Sequence, residues 1–275
     1  MAASDRFPTI PGKIPKVALS LSGGLDSTTL LHYLVSLVGP DNVYAISFDY
    51  NQRHDIELAC AEMQVDAAGL PPENYQVVDV SFMAQMANNT SSMVKGDVPV
   101  PTVQEALGDP QPTTYMPMRN LIFSSLVAAF AESNGCDYVA LGIQRVDQFG
   151  YWDTTLDFVD RLQAVLDLNR KNPISLFTPF VEATKKDEIE LGMEMGIDYG
   201  LTWTSYSGPK NKDGSPWGPG ESQEEPREFM RYLLEHNFIP YAEADNTAAA
   251  DRRNAFKELG LVDPIPYIDV SASRS

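Results

Sequence analysis

Lys16-Val-Ala-Leu-Ser-Leu-Ser-Gly-Gly-Leu-Asp-Ser27 is the stretch whose reading decides the fold. Residues 16–21 form a short apolar run suited to a buried parallel strand. Residues 27–38 then place Leu30, Leu31, Leu34, Leu37 and Val38 at helical spacing. Between them, Ser22-Gly-Gly-Leu-Asp-Ser27 sits where a strand hands over to a helix. Two glycines let the backbone turn tightly and point its N–H groups inward. The helix N-terminus adds a positive dipole end, and Ser22 and Ser27 add hydroxyl donors. This reads as a pyrophosphate cradle, against the plainer reading of a glycine turn with an N-cap. Asp26 is an acid in an anion site, which makes sense if it holds Mg²⁺ against phosphates. No Gly-Lys-Ser/Thr follows the glycines, and G-x-G-x-x-G is absent too, so neither common phosphate loop applies.

Working outward, residues 43–48 read as a second strand ending in Asp49-Tyr50, 55–69 as a helix and 75–80 as a third strand. That β-α-β-α-β succession predicts an α/β fold, a doubly wound parallel sheet with both faces covered. Residues 88–114 are polar, with Pro99, Pro101, Pro110 and Pro112, and read as a structureless lid or disordered stretch. Residues 120–134 predict a helix, 138–141 a fourth strand ending in Gly142, and 155–169 a helix. A further helix spans 184–195, with Thr184 as N-cap and Asp187 at the capping-box position. Composition changes after Gly208: 209–220 is a Pro/Gly loop, 221–235 a charged helix, and 251–260 an amphipathic helix stopped by Pro264 and Pro266. The expected domains are 16–206 and a small helical C-terminal appendage over 207–275, with 1–15 a loose lead-in.

The chain has 275 residues, 43% hydrophobic, enough for a sizeable core. Its net charge of −18 repels phosphate backbones, so no nucleic acid partner is expected. No run of 18 apolar residues predicts a membrane span, and residues 1–15 lack the apolar core of a signal peptide. Cys60 and Cys136 alone make neither a disulfide framework nor a thiolate zinc site. A reducing, cytoplasmic setting is expected.

SGGxDS resembles the signature of the PP-loop ATPases, whose fold is adenine nucleotide alpha hydrolase-like. The resemblance implies ATP split to AMP and pyrophosphate, adenylylation of a carbonyl or carboxyl oxygen, and displacement of AMP by a nucleophile. Four further segments resemble the 7-cyano-7-deazaguanine synthases (QueC): Ser47-Phe-Asp-Tyr-Asn-Gln-Arg-His54, Tyr115-Met-Pro-Met-Arg-Asn-Leu-Ile-Phe123, Leu141-Gly-Ile-Gln-Arg-Val-Asp-Gln-Phe-Gly-Tyr-Trp-Asp153 and Thr184-Lys-Lys-Asp-Glu-Ile189. Residues 201–206 and 253–264 resemble it as well. The implied reaction adenylylates the carboxylate of 7-carboxy-7-deazaguanine, lets ammonia displace AMP, and dehydrates the amide to the nitrile with a second ATP. ATP and Mg²⁺ are the implied cofactors, and the family's dimers make a homodimer one option.

The resemblance gives each candidate residue a role. Asp26, Lys185 and Arg119 are the expected catalytic set. Ser20, Ser22, Gly23, Gly24, Asp26, Ser27, Asp49 and Gly142 are expected to bind ATP. Asp49, at the carboxyl end of a strand, can accept from the ribose or the adenine amine, or cap a helix. The Arg119 guanidinium suits phosphate or carboxylate. Lys185 stands in a first helical turn, where the dipole disfavours cations, which fits a phosphate-facing role. Tyr50, Arg53, Arg119, Asn120, Gln144, Asp147, Tyr151 and Asp153 are expected to hold the deazapurine. A carboxylate accepts from a guanine-like edge in pairs, and Tyr151 or Phe149 can stack on the ring, although Asp147 and Asp153 also read as turn acids. His54 reads as a satisfied structural histidine rather than a catalyst.

The sequence also departs from the family. The family's four-cysteine zinc site has its first position at Ser205, and residues 217–250 contain no cysteine, so no zinc is expected. Thr154 replaces another family cysteine, and Gln144 stands in place of Asn. The ATP half looks intact while the region covering the substrate is rebuilt. The attacking group is therefore open between ammonia and another amine, including that of a partner protein as in relatives from antiviral gene clusters. A non-catalytic nucleotide- or deazapurine-binding module is the alternative of a different class.

Overall fold

The computed structural model describes residues 2–11, 14–87, 90–109, 111–144, 151–215, 217, 231, 234–236 and 240–269. Its centre is a five-stranded, all-parallel sheet in the order β3-β2-β1-β4-β5. The strands are β1 (Val17–Ser20), β2 (Val43–Asp49), β3 (Tyr75–Asp79), β4 (Tyr138–Ala140) and β5 (Ser175–Phe177). β1 lies between its partners with Val17 opposite both Val43 and Tyr138. Strand order reverses there, and the ligand crevice of an open α/β sheet forms outside the carboxyl ends at such a point.

Alternate residues of β1 feed two cores. Val17 and Leu19 pack with Leu30, Leu31 and Leu34 of α1 (Leu25–Val38), Ala61 and Val65 of α2 (Ile56–Ala68), and Leu191 of α7 (Lys185–Met195). Ala18 faces the opposite core, with Val127 and Ala131 of α5 (Arg119–Ser133) and Phe158 and Leu162 of α6 (Leu156–Leu166). Both faces are thus covered, which is why β1 reads as continuous apolar sequence rather than alternating. Removing one of these buried leucines costs about 2–5 kcal/mol.

Several expectations need correction. The fifth strand, Ser175–Phe177, follows a turn and is too short to leave a period-2 signal. The stretch read as structureless carries the short helix α4 (Val103–Ala106), closed by a capping box between Thr102 and Glu105, and α3 (Phe82–Ala87) precedes it. Residues near the N-terminus are not loose: a 3₁₀ turn at Ala3–Arg6 docks Arg6 on Asp187 at 2.8 Å and Glu190 at 2.5 Å. The last helix, α8 (Thr247–Glu258), begins four residues before the expected start at 251, because Asn246 accepts from Ala249 N and caps it. The C-terminal part is also not purely helical, since β6 (Ala242–Glu243) pairs in parallel with β7 (Tyr267–Ile268). Most of the helix expected at 221–235 lies outside the described residues. Among the described residues no helix is long and apolar enough to cross a membrane.

Candidate active site

Gly23 has φ +85, and a Cβ there would stand 2.0 Å from the Glu57 carbonyl oxygen of α2. Both facts demand glycine. The backbone can therefore press against α2 and turn into α1, with Gly24 extended as N-cap. Ser22 Oγ lies 3.0 Å from Ser27 Oγ, and Gly24 N donates to Ser22 Oγ at 3.2 Å. Residues 203–204 strap the turn from outside: Trp203 N donates to Gly23 O at 3.0 Å and Leu25 N to Thr204 Oγ1 at 3.1 Å.

Asp26, one residue into α1, pairs with Lys185 Nζ from the first turn of α7. Gln144 Nε2 donates to the same Asp26 oxygen at 2.5 Å. Lys185 is placed by a complete capping box, in which Thr184 Oγ1 accepts from Asp187 N and Asp187 accepts from Thr184 N at 2.9 Å. Asp251 of α8 lies beside this group. Burial raises its pKa, Lys185 opposes the shift and Asp26 adds to it, for a net rise.

The cleft opens at the carboxyl ends of β1, β2 and β4, with a volume of about 720 Å³. Arg119, at the start of α5, also lines it. Burial works against the guanidinium charge, but Tyr50, Tyr206, Tyr151 and Asp153 more than compensate, and its pKa rises. Burial pushes the Tyr50 phenol up to about 12, against the pull of Arg119. His54 is buried with Nε2 3.4 Å from Tyr50 Oη and 3.5 Å from Glu57 Oε2. Burial, aided by Arg119, lowers its pKa to about 3, so the imidazole is neutral. Phe48 and Phe123 stack at 4.4 Å and, with Tyr151 and Phe158, give the cleft an aromatic wall.

Most of the expected residues meet here. Ser20, Ser22, Gly24, Asp26, Ser27, Tyr50, Arg119, Asn120, Gly142, Tyr151, Asp153 and Lys185 all line the cleft. Gly23 supports the loop from behind, and Gln144 acts through Asp26. Asp49 ends β2 outside the lining, its Oδ1 accepting from Asn51 N at 3.2 Å. Arg53 is turned away, donating to the carbonyls of Ser92 at 2.9 Å, Val98 at 2.8 Å and Gly96. It pins the 92–98 segment instead of facing the cleft. Asp153 is divided: its Oδ2 accepts from Asn120 N at 3.3 Å and serves the uncapped start of α5. Tyr151 stacks on Tyr115 at 6.2 Å and bonds Thr114 at 2.6 Å. Asp147 and Phe149 lie outside the described residues.

Other lining residues were not anticipated. Glu57, Thr204, Tyr206 and Asp251 line the cleft, as does His54, which sequence marked only as structural. Glu57 follows three residues after His54, just beyond the end of β2, and that position was the available signal. Asp251 had none, because α8 reaches the cleft only through tertiary packing on α7. Ser205 receives a bond from Asn246 Nδ2 at 3.0 Å, and Ser207 Oγ donates to Glu243 at 2.8 Å. Among the described residues no group of three or more His, Cys, Asp or Glu side chains is placed to hold a metal ion.

The chain is similar to several known proteins. The family model described as "Queuosine biosynthesis protein QueC" matches residues 16–216. A 7-cyano-7-deazaguanine synthase from Clostridium kluyveri is 37% identical over 258 residues, covering 92% of this chain and 97% of that one. One from a Cyanothece species is 33% identical over 257 residues, covering 92% and 99%. Among solved structures, the NMN synthetase from Francisella tularensis superposes with TM-score 0.44 at 12% identity, over 89% of this chain and 85% of that one.

Proposed function

Because the chain belongs to the QueC family, we propose that it uses ATP to adenylylate the carboxylate of 7-carboxy-7-deazaguanine and then couples the activated acid with an amine. It is an enzyme of the ATP-dependent ligase kind. In the first step a carboxylate oxygen attacks the α-phosphorus and pyrophosphate leaves. The carboxyl carbon then carries AMP, a far better leaving group than oxide. In the second, the amine nitrogen attacks that carbon, loses a proton and expels AMP. With ammonia, a second ATP adenylylates the amide oxygen, and loss of two protons with AMP gives 7-cyano-7-deazaguanine.

The observation that carries this reading is the Asp26–Lys185 pair at the Ser22–Ser27 turn, with Arg119 lining the same cleft. The turn's N–H groups and the α1 N-terminus suit the departing pyrophosphate. Lys185 gives its charge to a phosphate oxygen when substrate enters. Asp26 is the one acid within the turn and fits Mg²⁺ held against the phosphates. The ion would neutralise charge on the pyrophosphate as it leaves. Arg119 orients the substrate carboxylate, and the aromatic wall receives a flat purine-like ring.

Incubation with ATP, Mg²⁺ and 7-carboxy-7-deazaguanine, with and without ammonium, tests the proposal. AMP with the nitrile is the expected outcome. AMP with an amide, or with an adduct on a protein, assigns the second step to a different endpoint. No AMP in any arm removes the activation step itself.

A further inference from the structure

The coupling step needs a proton acceptor beside the reacting nitrogen, and the residues given roles so far do not supply one. Asp26 is tied to Lys185 and Gln144. Asp153 caps α5. Asp251 sits on the Lys185 side. Glu57 is placed differently. It stands in the first turn of α2, its side chain is 15% exposed, and it lines the cleft. Its Oε1 lies 3.9 Å from where a Cβ on Gly24 would be, so it borders the phosphate turn. Its Oε2 lies 3.5 Å from His54 Nε2, so it also borders the pocket of Tyr50 and Arg119. With the phosphates in the turn and the deazapurine beside Arg119, as proposed above, the carbon that joins them falls at this junction.

We propose that Glu57 is the catalytic residue that takes the proton from the nitrogen attacking the acyl adenylate; this rests on the activation reaction proposed above. The adduct carries nitrogen as an ammonium. One N–H bond breaks toward a Glu57 oxygen, its electron pair stays on nitrogen, and the C–O bond to AMP breaks with its pair on the phosphate. Glu57 then returns the proton to water. In the dehydration the same carboxylate accepts the N–H protons one at a time while the C–O bond to AMP breaks and the C≡N bond forms. His54 is a poor substitute, being neutral with little affinity for a proton. Burial, opposed by Arg119 and reinforced by Asp26, raises the Glu57 carboxyl well above the ordinary carboxylate range, so its ionised form holds a proton more tightly than an exposed carboxylate would.

The test compares Glu57→Gln and Glu57→Asp with the parent chain in three assays. They are ATP–pyrophosphate exchange dependent on 7-carboxy-7-deazaguanine, amide formation from ammonium, and hydroxamate formation from hydroxylamine. The nitrogen of the hydroxylamine adduct is also an ammonium, but its hydroxyl makes the N–H far more acidic, so it sheds the proton to water readily and bypasses a protein base. Amide formation in Glu57→Gln should fall about 100-fold further than exchange. Hydroxylamine should narrow that gap about tenfold, and Glu57→Asp should recover part of the loss. Amide formation and exchange falling together, or no narrowing by hydroxylamine, overturns the role of Glu57. If Glu57→Gln fails to fold by circular dichroism, the same ratios are read in Glu57→Asp. Absence of exchange in the parent chain overturns the activation reaction itself, and the proposal with it.

Discussion

Lys185 Nζ and Asp26 Oδ1 form an ion pair that ties the first turn of α7 to the first turn of α1 across the floor of the cleft. Lys185 is 12% exposed and Asp26 26%, so solvent screens the pair only partly. The cation sits where its own helix dipole opposes it, a position that makes sense when phosphate completes the site. Lys185→Met should therefore cost about 10²–10³ in the rate of pyrophosphate exchange, with the fold retained. A loss below about threefold would deny Lys185 its phosphate-facing role.

Gly23 and Gly39 separate steric demand from backbone strain. Both have positive φ, +85 and +80, but a Cβ at Gly39 meets nothing within 4 Å whereas one at Gly23 meets the Glu57 carbonyl at 2.0 Å. Gly39→Ala should cost about 1–3 kcal/mol, the strain alone. Gly23→Ala must also push α2 off the turn, so its urea midpoint should fall clearly further and pyrophosphate exchange should be lost. Equal midpoints for the two variants would contradict the close approach of α2 to the loop.

Arg252 is 1% exposed and holds the C-terminal helix to the strap behind the phosphate turn. It donates to both Asp263 oxygens at 2.9 Å, to Thr202 Oγ1 at 2.7 Å and to Tyr199 O at 2.9 Å. Truncation leaves the Asp263 side chain, 7% exposed, with Tyr267 Oη and Ile265 N as donors but without its cation. Arg252→Ala should lower stability by about 3–5 kcal/mol in denaturant titration. A cost below about 1 kcal/mol would place α8 outside the cooperative unit.

His54 gives stability a pH dependence whose sign is fixed. Its folded pKa of about 3 lies below the ordinary 6.5, so the unfolded chain binds the proton first as pH falls. The contribution is full above 6.5 and is lost as pH drops from 6.5 toward 3, at up to about 1.4 kcal/mol per pH unit. Glu57 acts oppositely: its raised pKa removes stability as pH rises above 4.5. The difference between parent and His54→Gln stability curves isolates the histidine, and it should shrink steadily between pH 6.5 and 4.5. A constant difference across that window would mean that His54 carries its charge in the folded chain.

The central part of the fold was legible because each signal was local. The apolar run at 16–21, the glycine turn and the leucine spacing of 27–38 fix strand, loop and helix without reference to anything distant. Thr184 and Asp187 likewise announced the start of α7, and with it Lys185. Less legible were features created by packing. Arg53 follows the Asp49-Tyr50 strand end that suits substrate, yet its guanidinium meets three carbonyls some forty residues later in the chain. The place of Glu57 beside the phosphate turn depends on the packing of α2 against Gly23. Asp251 lies on an amphipathic helix whose direction toward the cleft depends on Arg252 and its partners.

Pyrophosphate exchange into ATP, driven by 7-carboxy-7-deazaguanine with no amine present, tests the activation of a deazapurine carboxylate most directly. The parent chain should exchange label only when both Mg²⁺ and the acid are supplied, and Lys185→Met should abolish most of it. Exchange that ignores the acid, or none with it, would contradict the assignment of the Ser22–Ser27 cleft to carboxylate activation.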